Sequence, residues 1–345
     1  MANYLKKAIF AVAGAGKTTM LVNSLSPDKR SLLLTYTDNN AENLYSAIIN
    51  KFGHIPDNIM VSTWFSFILN FFLRPFIIKE APNIDRLIFP KDPPPRYGNG
   101  LSRYIVNENA VFHSRAFEFC QTYVGIEKIT NRLKTFFDEV LIDEIQDFAG
   151  YDFDFIELLG EIDINAIITG DFFQHTYDTS RDGSKNKNLH DNFESYKKRL
   201  QKYYQIDLLT LSNSYRCPNE ICIFIRDKIG INMSSFSTRT DISSPKLLTD
   251  PQEIKKIMDD KLIIKLFYKE HYKYCCNSDN WGGCKGLSYE NVCVILNKST
   301  LVLLKKESIN KLSPTTRNKF YVACTRTKGN LFFIDESDII QYKLK

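Results

Sequence analysis

The chain has 345 residues, 43% hydrophobic and 25% charged, which is too long for one core and ordinary for a soluble globular protein. Its 45 basic residues against 40 acidic ones leave a net charge of +5, which neither demands nor excludes a nucleic-acid partner, because a local basic groove matters more than the total. Eight irregularly spaced cysteines argue against a disulfide scaffold and are read as reduced thiols of a cytoplasmic protein.

The first residues, charged and then apolar, superficially resemble an export signal, but the apolar part is short and runs straight into a phosphate-binding pattern. A greasy run over 64–78 is broken by Asn70, Arg74 and Pro75 well short of a bilayer span, so no membrane segment is expected. Short apolar runs then alternate with helical stretches: AIFAVA, SLLLTYT, IMVST, EVLIDE and NAIITGD. Continuous apolar strands indicate a parallel sheet covered on both faces, and the strand–helix repeat indicates a doubly wound α/β domain. Functional loops are expected at the carboxyl ends of those strands.

Between about residues 81 and 130 the pattern changes. Asp92-Pro93-Pro94-Pro95 and Gly98-Asn99-Gly100 mark a loop, and aromatic-rich helical sequence follows, which predicts a small, mostly helical insertion. The polar segment 178–191 predicts an exposed loop. After Leu211 a second alternating unit begins, with runs KLIIKLF, NVCVIL and NLFFI. The expected domains are 1–205, with the insertion at 81–130, and 206–345.

AIFAVAGAGKTT is the most specific signal. An apolar strand turns through Ala13, Gly14, Ala15 and Gly16 into Lys17, Thr18 and Thr19, which open a helix. Small residues let the backbone fold round phosphate, so that successive N–H groups and the helix N-terminus face the anion. Lys17 is expected to reach the β- and γ-phosphates of ATP, and the Thr18 hydroxyl to ligand Mg2+. VLIDEIQD supplies the acidic partner: Asp143, at the end of an apolar strand, is placed to hold Mg2+ through water, and Glu144 is a natural general base for the attacking water.

The order of short motifs resembles the superfamily 1 helicases of the UvrD/Rep type, from Ala11 to about Ile334. AGAGKT, TYTDNNA (35–41), STWFSF (62–67), DEIQD (143–147), GDFFQHTY (170–177), LSNSYRCP (211–218), CKGLSYENV (284–292) and FYVACTRTK (320–328) follow one another as that family's motifs do. The resemblance implies two RecA-like P-loop NTPase domains with parallel sheets and one ATP site between them. It implies that Gln174 senses the γ-phosphate and that Arg216 and Arg326 stabilise the charge spreading over it. It places Tyr36, Thr37, Trp64, Phe65 and Tyr177 where that family contacts a single strand, although for any one of these aromatics packing in the core is an equal alternative. The implied activity is ATP-driven translocation or unwinding of single-stranded DNA, 3′ to 5′, with RNA not excluded.

Several departures bear on that reading. Ala11 stands for the usual first glycine of the phosphate loop, Thr179 for an aromatic, Ser288 for an acidic residue and Gly282 for a histidine. Only 16 residues precede Lys17, too few for the family's adenine-reading glutamine, so the choice of nucleoside is open. About 70 residues separate Arg216 from Lys285, so the family's large second insertion is missing. Such a near-minimal core is expected to work with a protein partner, such as a nuclease, in DNA repair or antiviral defence. The alternative is an ATPase switch subunit that regulates a partner without processive unwinding. His271, Cys275, Cys276 and Cys284 match no zinc spacing and are not expected to hold metal.

Overall fold

The computed structural model describes residues 4–77, 81–90, 98–177 and 180–344; the Asp92–Pro95 loop and Thr179 lie outside these described residues. The chain divides into two compact units. The first comprises Met1–Ile9, Lys17–Gly170 and Tyr177–Asp207, and the second Phe10–Gly16, Asp171–Thr176 and Leu208–Lys345.

The first half of the chain runs β1 (Lys6–Ala11), α1 (Lys17–Ser24), β2 (Ser31–Thr35), α2 (Asp38–Phe52), β3 (Ile59–Thr63) and α3 (Trp64–Phe67). Beyond the insertion come α5 (Ile126–Phe136), β7 (Glu139–Ile142), α6 (Asp152–Glu161), β8 (Asn165–Gly170), α7 (Phe193–Leu200) and β9 (Gln205–Leu211). The strands form one six-stranded sheet in the order β3-β2-β7-β8-β1-β9. β2 pairs in parallel with β3 and β7, and β7 with β8, so Leu33 lies opposite both Val61 and Leu141. Every residue of β2 is buried, which is why the run SLLLT shows no alternation.

On one face α1 and α2 close a core of Leu21, Val22, Leu25, Leu33, Leu44, Ile48, Ile59 and Leu141. α2 is well defined at both ends. The Thr37 side chain accepts from the Asn40 N–H, and Gly53, at φ +78°, closes the C-terminus onto the Ile49 carbonyl. Lys51 of α2 donates to the carbonyls of Val22, Asn23 and Leu25, satisfying groups that the end of α1 leaves open. The opposite face is aromatic: Trp64 packs on Phe117, Phe148 and Phe155, with Phe72 against Phe155.

The insertion is helical over much of its length, including α4 (Ala116–Phe119), and it also carries a small sheet absent from the sequence reading. β4 (Arg86–Ile88) pairs in parallel with β6 (Ala110–Phe112), and β5 (Ile105–Val106) pairs with β6 in antiparallel fashion. Strands of two and three residues are too short to show a period, and the β5–β6 turn uses Asn107 and Glu108 at positive φ where a glycine would have announced it. The segment expected as an exposed loop differs as well. Within 180–191, Ser180, Leu189 and His190 are buried, and Asp182 is ion-paired with the buried Arg115. Its polar composition serves internal hydrogen bonds as well as solvent.

In the second half, β10 (Asn213–Ser214) pairs with β11 (Ser234–Ser235), and α8 (Asn219–Phe224) lies between them in sequence. Five strands form an all-parallel sheet in the order β12-β16-β15-β13-β14. They are β12 (Lys246–Leu247), β13 (Ile264–Phe267), β14 (Ser278–Asn280), β15 (Val292–Leu296) and β16 (Leu331–Asp335), with α9 (Pro251–Asp259), α10 (Lys298–Lys305) and α11 (Pro314–Cys324) between them in sequence. α11 starts on a proline and buries everything from Phe320 to Cys324, so it has no polar stripe. Cys275 is exposed, whereas Cys284 is buried with its thiol on the Trp281 carbonyl. Among the described residues no three His, Cys, Asp or Glu side chains are grouped to hold a metal, and no helix is long and apolar enough to cross a membrane.

Candidate active site

In the first unit Lys17, Thr18, Asp143, Glu144 and Thr169 meet at the carboxyl ends of the strands. α1 opens at Lys17, immediately after Gly14 (φ +73°) and Gly16 (φ +82°) have turned the chain through the left-handed region that side chains avoid. Thr18 and Asp143, 125 residues apart in sequence, meet: the Thr18 hydroxyl donates to Asp143 Oδ2 at 2.8 Å. Thr169, at the end of β8, donates to Asp143 Oδ1 at 3.1 Å. Lys17 Nζ stands 3.5 Å from Glu144 Oε1. Glu144 itself is held at φ +61°, an uncommon conformation for a non-glycine residue, and accepts a hydrogen bond from the Gln146 amide.

Burial pushes the Asp143 carboxyl up to about 6, and the neighbouring Glu144 adds to this, while Lys17, Thr18 and Thr169 oppose it. Two adjacent carboxylates in a buried site call for a cation, and Lys17 supplies one. The hydroxyl of Thr18 and the carboxylate of Asp143 are hard oxygen donors side by side, a donor set suited to magnesium. Gly170 is required here, because a side chain would run into the Gln146 amide and Ile145.

The second unit gathers the remaining predicted residues round the phosphate-loop backbone. A Cβ on Gly14 would lie 2.5 Å from Arg216 Cβ and 2.9 Å from Ser214 Oγ, so the loop admits only glycine at this point. Ser214 donates to the Ala13 carbonyl at 2.8 Å, and the Tyr215 N–H to the Gly14 carbonyl at 2.9 Å. The Tyr321 hydroxyl accepts from the Ala13 N–H and donates to Asp171 Oδ2 at 2.9 Å. Gln174 donates to the same oxygen at 2.8 Å and receives Arg326 Nη2 at 3.5 Å. Arg326 is buried and also donates to the Val322 carbonyl at 3.1 Å, while Arg216 reaches the Thr325 carbonyl at 3.4 Å.

Three contributors escaped the sequence reading although they stand inside motifs it singled out. Tyr321 and Asp171 join FYVACTRTK to GDFFQHTY. Tyr215, next to Arg216, is 69% exposed; its ring lies 4.9 Å from that of Phe236 and touches the position of a Cβ on Gly16 at 3.9 Å. An exposed aromatic beside a phosphate loop is suited to stacking on a nucleoside base.

The residues expected along a single strand divide in two. Tyr177 and Thr37 are exposed and Phe65 is half-buried. Trp64 has no exposed surface, and Tyr36 is buried with its hydroxyl on Asp152 and Ser180. Of the two uses left open for Trp64 and Tyr36, the packing matches the core one: their rings are covered by Phe117, Phe148, Phe155 and Phe65.

Comparison with known proteins fits this arrangement. The model of the viral superfamily 1 RNA helicase core domain matches residues 121–335, more than half of the chain. Among solved structures, the PRRSV helicase is similar at 13% identity and a TM-score of 0.48, over 98% of this chain and 54% of that one. The arterivirus nonstructural protein 10 helicase is similar in a complex with DNA (14% identity, TM-score 0.47, 96% of this chain and 61% of that one) and in a separate crystal structure (15%, 0.48, 96% and 59%). The chain thus spans less than two thirds of the length of these proteins. No curated protein matches the sequence. Superfamily 1, read from the motif order, stands, but the family that matches is the viral one and not the UvrD/Rep type. The chain belongs to the viral superfamily 1 RNA helicase core domain family.

Proposed function

We propose that this chain hydrolyses ATP with Mg2+ and couples the reaction to movement along single-stranded nucleic acid. The observation that carries this reading is the convergence of Lys17, Thr18, Asp143 and Glu144 at the carboxyl ends of β1 and β7. Thr18 and Asp143 would hold the magnesium ion, which when bound neutralises charge on the β- and γ-phosphate oxygens. Lys17 leaves Glu144 for the same phosphates. Glu144 takes the proton of the attacking water as the new O–P bond forms. The bond from the γ-phosphorus to the β–γ bridging oxygen breaks, and ADP leaves with its electron pair. Gln174, Arg216 and Arg326 are assigned the charge on the transferred group, a role that the motif resemblance supports.

The Tyr215–Phe236 pair is assigned the nucleoside base. Stacking reads no hydrogen-bonding edge, so other nucleoside triphosphates are expected to serve as well. The UvrD/Rep resemblance points to DNA and 3′ to 5′ movement, and the family description points to RNA. Both strands therefore belong in the test. Turnover of ATP by the purified chain is expected to fall at least about a hundredfold in Lys17→Ala, in line with loss of a charge-stabilising group. Turnover that persists in that variant removes the site assignment. The second reading, a switch subunit, is favoured if hydrolysis is intact but no directional movement accompanies it.

A further inference from the structure

Asp152, the first residue of α6, is a fully buried carboxylate with no part in the phosphate chemistry. Its Oδ2 accepts the Tyr36 hydroxyl at 3.0 Å, and that hydroxyl lies 2.6 Å from Ser180 Oγ. The indole N–H of Trp64 turns its partial positive charge toward the same carboxyl, although no strict hydrogen bond closes and Asp152 Oδ1 is left without a partner. Burying such a group costs several kcal/mol unless it is compensated, so a carboxylate kept here in place of an apolar side chain calls for a reason.

The three anchors share one property. Tyr36 and Trp64 are buried, and the residues that follow them, Thr37 and Phe65, face outward or partly so. Ser180 is buried, and Tyr177, three residues earlier, is exposed. Thr37, Phe65 and Tyr177 are the candidate strand contacts that retain exposed surface. The segment after Ser180 is further strapped to the same part of α6. Asn186 donates to the Gly150 carbonyl, Lys185 pairs with Asp154 at 2.8 Å, and a side chain on Gly150 would collide with the Ser180 carbonyl. Tyr36 is thus hydrogen-bonded to this carboxylate directly and Ser180 through Tyr36, just behind the residues that would touch the strand, and the carboxylate begins the helix that follows DEIQD.

From this we infer that Asp152 is a positioning residue for nucleic-acid binding, which fixes Thr37, Phe65 and Tyr177 relative to one another through Tyr36, Trp64 and Ser180. The inference rests on the proposed single-strand function. Other titratable groups facing the carboxyl are Asp154, itself paired with Lys185, and the buried Cys120 thiol. Neither supplies a counter-charge to Asp152, so its hold on the three anchors is through hydrogen bonding and dipoles.

The test is ATP turnover by the purified chain, alone and titrated with oligo-dT or oligo-U, in Asp152→Ala, Asp152→Asn and Ser180→Ala. Asp152→Ala is expected to raise the half-saturating oligonucleotide concentration about tenfold, the scale of one lost strand contact. Basal turnover and the KM for ATP stay within about twofold. Asp152→Asn, which keeps an acceptor for the Tyr36 hydroxyl, recovers most of the loss. Ser180→Ala raises the concentration by about threefold and decides the matter if Asp152→Ala does not fold. An unchanged half-saturation, or a loss of basal turnover in the same proportion as the strand response, overturns the inference. A wild-type chain that neither oligonucleotide stimulates or binds overturns the functional reading, and this inference falls with it.

Discussion

The proposed phosphate site and the aromatics proposed to face a strand lie on the same sheet, yet one is readable in sequence and the other is not. At the phosphate site the chemistry accepts few substitutes: a lysine, a hydroxyl and two carboxylates, each at the end of a strand or the start of a helix. Thr18 and Asp143 meet at 2.8 Å because β1 and β7 deliver them to the same edge of the sheet. An aromatic ring, in contrast, has two uses of similar energy, stacking on a base or filling the core. Trp64 and Tyr36 occupy motif positions that suit the first use, and the structure gives them the second. A motif residue can therefore act from behind the surface, holding an outward neighbour in place.

This contrast can be broken experimentally. Glu144→Gln is expected to have the largest effect: hydrolysis falls by about a hundredfold or more while ATP still binds, as measured by single turnover and by nucleotide-binding fluorescence. If nucleotide binding weakens in parallel, Glu144 is not the base. Trp64→Ala removes a fully buried ring, and about 3–5 kcal/mol of stability should go with it in denaturant unfolding. A stable variant that merely binds strands more weakly would return Trp64 to the surface role. Tyr177→Ala, at the exposed position, is expected to weaken oligonucleotide binding about tenfold without changing the melting temperature. Equal losses of both would make it a packing residue.

The smallest effect concerns pH. Burial pushes the Asp152 carboxyl up to about 7, against the Ser180, Trp64 and Tyr36 side-chain dipoles that oppose the rise. Because the folded value lies above the ordinary one, the neutral form stabilises the fold below the usual carboxylate range, and that stabilisation is lost as pH rises through about 7. Melting temperature followed from the ordinary carboxylate range up to about 7 should show this fall in the wild type, levelling off above it, and a flatter profile in Asp152→Asn. Identical profiles would mean that Asp152 does not titrate there.

Much of the fold was legible for the same reason as the phosphate site. SLLLT, EVLI and VCVIL are buried on both faces and so read as parallel strands without alternation. The β4-β6-β5 sheet was not legible, because its strands run to two or three residues and its turn lacks glycine. Asp152 was invisible for a different reason: a lone carboxylate at a helix start reads as an ordinary first-turn acid, and only the fold brings Tyr36, Trp64 and Ser180 to it. Tyr321 and Tyr215 stood inside quoted motifs, but nothing in their spacing said that one would hold the Ala13 N–H and the other lie open beside Gly16.

The most direct test of the central claim is ATP hydrolysis by the purified chain with and without single-stranded DNA or RNA, with Lys17→Ala as the blank. A motor whose phosphate chemistry answers to its strand predicts turnover that rises several-fold on adding one or both strands and vanishes in the variant. Turnover indifferent to both strands, or absent altogether, would contradict it.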